Sequence, residues 1–351
     1  MAGLTGGYTG RTMRAVQLVA PQELRFVDIP APTVAQGEVL VRLEYLAVCG
    51  SDLKFYDRNL PPDSYPFPPG RPCHECVGTV EHSSVPEFKP GQRVIALVRS
   101  GGLVERAAVS ADELVPLPDV DDVDPALWVL CQPMGTVLYA VDRLGSVVGK
   151  RVVVVGAGPI GLCFTDLLVR AGASQVIVTD VHEYRLEVAK RLGATHVINA
   201  RNNDVRQRVA EITAGAMADV SIEACGLRET YHQVFNVLRQ QGTVIIFGIP
   251  HLEDVMHFDW SAAYSRLPTI IVTNSAAAGE RGRYVAAAVE MVAQHRLDLS
   301  YLVTHRFGWD EIPEAFDVYA THKDRSLKGI IAVQAPLAGA EHERTRAAVA
   351  V

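Results

Sequence analysis

Two short stretches of this 351-residue chain bring chemically capable side chains close together: "RPCHECVGTV" at 71–80 and "VVVVGAGPIG" at 152–161. The first holds a Cys-x-x-Cys in which His74 and Glu75 stand between Cys73 and Cys76. Thiols at that spacing serve either as half of a four-ligand structural zinc knuckle or as a redox dithiol. A knuckle needs a second pair, and Cys49, Cys131, Cys163 and Cys225 are each isolated. A redox dithiol usually opens a helix in a small βαβ domain, whereas the residues after Cys76 continue as a β-branched, extended run. In an extended segment Cys73 and Cys76 do not share a face, and His74 and Glu75 point to opposite sides. The two cysteines are therefore expected not to pair.

The second stretch supplies Gly156, Gly158 and Gly161 in G-x-G-x-x-G spacing, after a β-branched strand and at the mouth of an apolar helix that Pro159 and Ile160 begin. Gly156 permits the tight turn, Gly158 lets backbone approach a pyrophosphate, and Gly161 allows close helix–strand packing. The helix N-terminus carries partial positive charge toward the phosphates. Asp180 ends the next strand, 19 residues after Gly161, where a carboxylate accepts from both hydroxyls of an adenosine ribose and repels a 2′-phosphate. NAD is thus expected over NADP, with Arg185 beside the ribose leaving that preference open. Cys225 and the pair Gly248–Ile249 end the two following strands, where the nicotinamide half should lie. Asn274 ends the last one, either reaching the nicotinamide ribose or acting as a turn residue.

These residues need two kinds of scaffold. From Arg14 to about Leu117 the chain consists of short alternating or β-branched runs punctuated by Pro and Gly, the pattern of an irregular antiparallel barrel or sandwich. Near Pro125 the rhythm changes: a helical segment leads into apolar strands that alternate with helices, an α/β arrangement with a parallel sheet covered on both faces. "LVTHRF", "WDEIPEAFDVYATH" and "LKGIIAV" then read as strand, helix and strand returning to the first unit.

Composition sets outer bounds. The chain is 48% hydrophobic and 21% charged with a formal charge of −7, which speaks against nucleic acid or an anionic membrane as partner. No run reaches membrane-spanning length and the N-terminus has no secretory h-region, so residues 1–12 are expected to be a flexible leader and 335–351 a loose tail. Six cysteines in a chain this size suggest reduced thiols in the cytoplasm.

The pieces "CGSDLKFY" (49–56), "PCHECVGTV" (72–80), "QPMGTVLYAV" (132–141) and the glycine turn with Asp180 together resemble the medium-chain dehydrogenase/reductase superfamily over most of residues 13–334. The likeness is to its zinc-dependent alcohol dehydrogenase-like members, in particular the sorbitol, threonine and glucose dehydrogenase-like branches. It implies a β-rich GroES-like catalytic domain (13–132 and 276–334) with a Rossmann domain (133–275) inserted. It implies a catalytic zinc held by Cys49 and His74, with Glu75 a ligand or exchangeable near-ligand. Two residues compete for the fourth place: Gln132, favoured by the "QPM" run, and Cys131, in register with the ligand cysteine of simple alcohol dehydrogenases. Ser51 would take the substrate hydroxyl proton, and Asp52 would orient His74 or cap a helix.

Two departures stand out. The four-cysteine lobe that carries a structural zinc in relatives is missing, so one catalytic zinc and no structural metal are expected. Lys54 stands where relatives often have the histidine that ends the proton relay. The activity implied is hydride transfer between NAD and a secondary alcohol of a polyol, sugar or aminocyclitol, in a homodimer or homotetramer. Loops around Phe55, Tyr56, Trp128 and Thr273–Asn274 would wall the substrate pocket. Two rivals share the fold: a zinc-free quinone or enoyl reductase, which Cys49 with His74 argues against, and a nucleotide-binding protein that has lost its chemistry.

Overall fold

Strand-forming runs in the first third of the chain pair mainly with one another. The computed structural model describes residues 12–57, 60–250, 259–273 and 281–334; Asn274 and the expected leader and tail, save Thr12, lie outside them. The elements are β1 (Thr12–Ala20), β2 (Glu23–Pro30), β3 (Glu38–Ala47), α1 (Gly50–Tyr56), β4 (Glu75–Ser83), β5 (Arg93–Ala96), β6 (Arg106–Ser110) and β7 (Leu114–Pro116). A 3-10 turn, Pro125–Leu130, leads into α2 (Cys131–Leu144). The strand–helix alternation follows: β8 (Arg151–Val155), α3 (Pro159–Arg170), β9 (Gln175–Asp180), α4 (Glu183–Arg191), β10 (His196–Asn199) and α5 (Val205–Ile212). It continues with β11 (Ala218–Glu223), α6 (Arg228–Asn236), β12 (Leu238–Ile246), α7 (Trp260–Arg266), β13 (Thr269–Val272) and α8 (Arg281–Ala293). The last elements are β14 (Val303–Gly308), α9 (Ile312–Thr321) and β15 (Lys328–Ala332).

Three sheets result. β1 and β2 form a separate antiparallel ribbon. A seven-stranded sheet runs β14-β15-β3-β4-β5-β7, with β6 also on β3, so the final strands do rejoin the first unit. A six-stranded parallel sheet runs β10-β9-β8-β11-β12-β13. Its central strands carry buried apolar side chains: Val152, Val153, Val154, Ile177 and Ile222 are all fully buried, as a sheet covered on both faces requires. β10, only four residues long, is a sixth parallel strand that the apolar-run pattern does not show.

One core unites the two larger sheets. Ala47, Val77 and Ile95 of the first pack in the same cluster as Val152, Val154 and Ile222 of the second, joined through α2, α3 and α8. Trp128 is wholly buried in that cluster, so it offers no surface to a substrate pocket. Among the described residues, no helix is long and apolar enough to cross a membrane.

The end of the parallel sheet away from the glycine turn is tied by charge. Asp219, starting β11, accepts from the Arg151 backbone N–H (2.9 Å) and side chain (3.0 and 3.1 Å) on β8, and from Arg239 on β12 (2.6 Å). Burial works against this carboxylate, but the Arg151 and Arg239 hydrogen bonds hold it well below the usual range. Its contribution is therefore present above an unfolded pKa near ~3.9 and fades as pH falls below that value. Asp219→Asn is expected to lower stability by about 1–3 kcal/mol at neutral pH. Urea unfolding at two pH values checks this, the deficit shrinking in acid.

Candidate metal centre and cofactor cleft

The metal centre is assembled where three strands of the larger sheet end together. Cys49 sits two residues beyond β3 and is the N-cap of α1. Asp52, at the third helical position and 1% exposed, accepts from the Cys49 backbone N–H through Oδ2 at 2.9 Å. Its other oxygen lies 3.1 Å from His74 Nδ1. The two roles open for Asp52 are thus both filled: one carboxylate closes the helix start and fixes the imidazole. With Nδ1 engaged, Nε2 is the ring atom left to bind, and Ser51 Oγ lies 3.4 Å from it. Burial opposes a charge on His74, yet Asp52 and Cys49 hold its pKa well above that of a free histidine.

Glu75 opens β4 opposite Ala47 of β3 and is fully buried. Donor atoms of Cys49, His74 and Glu75 lie within 4.8 Å of one another. A thiol, an imidazole with its far nitrogen braced by a carboxylate, and a second carboxylate form a donor set suited to zinc. Gln132 and Cys131 open α2, both buried. The Cys131 thiol does not belong to the three-residue group, and burial pushes its pKa far up. Lys54 lies three residues after Ser51 on α1 and is half-exposed.

Cys73 and Cys76 are both free, as expected of thiols that do not pair, but they lie closer together than strand alternation suggests. Glu75 is the first strand residue, so Cys73 precedes the strand and alternation does not separate the two thiols. The Cys76 side chain is a hydrogen-bond neighbour of the Cys73 thiol and, with burial, raises its pKa well above the usual value. Both are free and buried. Cys76 Sγ also fills the space beside Gly102, where an added Cβ would approach it to 2.4 Å.

In the parallel-sheet unit, the glycine turn has the required geometry. Gly156 has φ +104, and a Cβ there would stand 2.4 Å from Cys225 Sγ; a Cβ on Gly161 would stand 1.8 Å from the Gly156 carbonyl oxygen. Gly158 is the N-cap of α3 with open space before it, and Pro159 follows in the first turn, leading into Ile160. Asp180 accepts from the Ala157 and His182 N–H groups at 2.8 Å each. Arg185 Nη1 is 3.7 Å from Asp180, and Arg185 Nη2 is 3.2 Å from His322 Nδ1 beyond α9.

Two buried charged residues that tie these segments together have no local sequence signal. Glu223 accepts from the Cys225 and Gly226 N–H groups (2.8 and 2.9 Å), Thr230 Oγ1 (2.7 Å) and the Gly248 N–H (3.1 Å). It thereby staples together the loops carrying Cys225 and Gly248–Ile249, and the Ile249 carbonyl presses on Gly226. Lys328, which opens β15, reaches Glu75 of β4, 253 residues away in sequence. The chain from α9 to β15 serves both halves: Tyr319 feels the charges of Lys328, Cys49, Glu75 and Arg185. Tyr184 of α4 donates to the Ser326 carbonyl at 3.1 Å.

Residues 35–119 match the family described as alcohol dehydrogenase GroES-like domain, and residues 159–294 the zinc-binding dehydrogenase family. An L-threonine 3-dehydrogenase of Anaeromyxobacter dehalogenans (strain 2CP-C) is 30% identical over 324 residues, covering 83% of this chain and 90% of that protein. An alcohol dehydrogenase of Cupriavidus necator is 28% identical over 365 residues, covering 90% and 97%. A solved Escherichia coli oxidoreductase/dehydrogenase, described as of unknown specificity and involved in membrane biogenesis, superposes with a TM-score of 0.79 at 25% identity. That superposition covers 93% of this chain and 100% of the other.

Asp52→Asn keeps the side-chain volume but removes the charge behind His74. It is expected to weaken zinc retention by about 10–100-fold. Competition with a chromophoric chelator measures this, with circular dichroism unchanged; unaltered affinity would show that Asp52 only caps α1.

Proposed function

The chain belongs to the zinc-dependent medium-chain dehydrogenase/reductase superfamily, and from that membership we propose NAD-linked oxidation of a secondary alcohol in a polyol, sugar or aminocyclitol. That it is an oxidoreductase of the alcohol and polyol dehydrogenase type follows from its relatives. The observation that carries the finer reading is the convergence of Cys49, His74 and Glu75 within 4.8 Å, with Asp52 behind the imidazole.

In this reading one catalytic zinc is held by Cys49 and His74, with Glu75 beside it and Gln132 completing the set from α2. When bound, zinc supplies a Lewis acid that lowers the proton affinity of an alcohol oxygen, and the dinucleotide supplies the two-electron acceptor. The protein does the rest. Asp52 fixes the His74 tautomer so that Nε2 is the ligating atom. Ser51 Oγ, 3.4 Å from that nitrogen, relays the substrate's hydroxyl proton, accepting it as its own hydroxyl proton passes through the cofactor ribose to solvent. Glu223 keeps the nicotinamide loops in register, and Asp180 presents a buried carboxylate to the adenosine ribose, supporting NAD over NADP.

Residues 13–132 and 276–334 form the substrate side and 133–275 the cofactor side. The exposed edge strand β13, with Ile270 and Val272 open to solvent, suits a homodimer or homotetramer. Six free thiols suit a reducing cytoplasm.

The purified protein is expected to contain one zinc per chain. It should reduce NAD with at least one member of a panel of polyols, sugars, aminocyclitols and L-threonine, and Cys49→Ala should abolish turnover. Metal-free protein with undiminished Cys49→Ala activity would favour a zinc-free reductase. NADH binding with no turnover across the panel would favour a chain that has lost its chemistry.

A further inference from the structure

Two side chains of opposite charge stand together at the ribose site. Asp180 repels a 2′-phosphate, whereas a guanidinium offers such a group a fork of donors. Arg185 Nη1 lies 3.7 Å from Asp180 Oδ2, and the two side chains are 12% and 5% exposed. Opposed cofactor preferences are therefore built into one small volume, and the outcome depends on where the arginine's donors go.

Acceptors on the protein already hold the other two nitrogens. Nε donates to Tyr184 Oη at 3.1 Å. The single proton of that hydroxyl goes to the Ser326 carbonyl oxygen at 3.1 Å, so toward Arg185 it can only accept. Nη2 lies 3.2 Å from His322 Nδ1. A guanidinium has no acceptor, so Nδ1 takes this hydrogen bond and the neutral imidazole carries its proton on Nε2. Partial burial, with the charges of Arg185 and His182, lowers the His322 pKa and keeps the ring neutral at neutral pH. Both anchors come from one stretch far along the chain from α4: His322 is the C-cap of α9, and Ser326 precedes β15. We propose that His322 and the Tyr184–Ser326 pair withhold Arg185 from a 2′-phosphate, so that the closing segment, and not Asp180 alone, sets the preference for NAD. His322 and Tyr184 are positioning residues, because they act through the guanidinium. This rests on the dinucleotide reading above.

Calorimetric titration of the full-length protein with NADH and with NADPH gives the ratio of the two affinities on one preparation. A wild type that binds neither dinucleotide overturns the dinucleotide reading itself, and one that binds NADPH as tightly as NADH overturns the proposal. Given a preference for NADH, His322→Gly is expected to shift the ratio toward NADPH by about 10-fold, as Nη2 is freed for the phosphate. His322 has φ +54, which glycine adopts freely, so this variant removes the acceptor without straining the turn. Tyr184→Phe, which frees Nε, should shift the ratio in the same direction. His322→Asn, whose Oδ1 can replace Nδ1 and which also tolerates that φ, should keep the wild-type ratio. His322→Gly/Arg185→Leu should lose the shift. A merely structural role would weaken both dinucleotides alike, so an unchanged ratio in His322→Gly overturns the proposal, as does a shift that survives Arg185→Leu. If His322→Gly does not fold, the ratio in Tyr184→Phe decides.

Discussion

A thiol, an imidazole and a carboxylate converge on one small, mostly dry volume, and every charge among them must be matched by a partner that is also out of water. Two side chains meet that need from opposite sides. Asp52 stands behind His74 and the Cys49 backbone N–H, and Lys328 stands behind Glu75 and the Val48 carbonyl. Because these braces come from α1 and β15, the loop after β3, the first helix and the last strand are fixed by a single electrostatic requirement. The return of the chain to its first sheet after the parallel sheet is what puts the lysine there.

The same closing segment reaches the cofactor side. His322 touches Arg185 beside Asp180, Ser326 receives Tyr184, and Lys328 holds Glu75. Buried Tyr319 of α9 belongs to the same segment, its ring centroid 5.9 Å from the Lys328 ammonium. A shared apolar core through α2, α3 and α8 supports that proximity. The ribose end and the carboxylate end are thus both contacted by one stretch of chain, from His322 to Lys328.

Local chemistry was legible in the sequence where one short segment sufficed. The glycine turn is such a case, since the strand, turn, helix and Asp180 lie in one run and each glycine answers a close contact in the structure. The α/β class and the return of the last strands were legible from apolar periodicity. What escaped depended on distant partners or on exact strand starts. The four residues of β10 are too few to show a period. Cys73 and Cys76 meet because the strand begins at Glu75, a boundary that alternation cannot locate. Trp128 reads as a pocket wall by position but is enclosed by core. Glu223 and Lys328 are ordinary strand-end charges until the fold places four donors around one and a carboxylate against the other. Sequence also does not choose between Gln132 and Cys131, which are adjacent and both buried at the start of α2.

X-ray absorption at the zinc edge of the native protein tests the central claim most directly, because it counts sulfur scatterers around the metal. One sulfur at about 2.3 Å, with the remaining scatterers nitrogen and oxygen, is the result predicted for a site built on Cys49 and His74. Two or more sulfurs would contradict it and would bring Cys131, Cys73 or Cys76 into the ligand set.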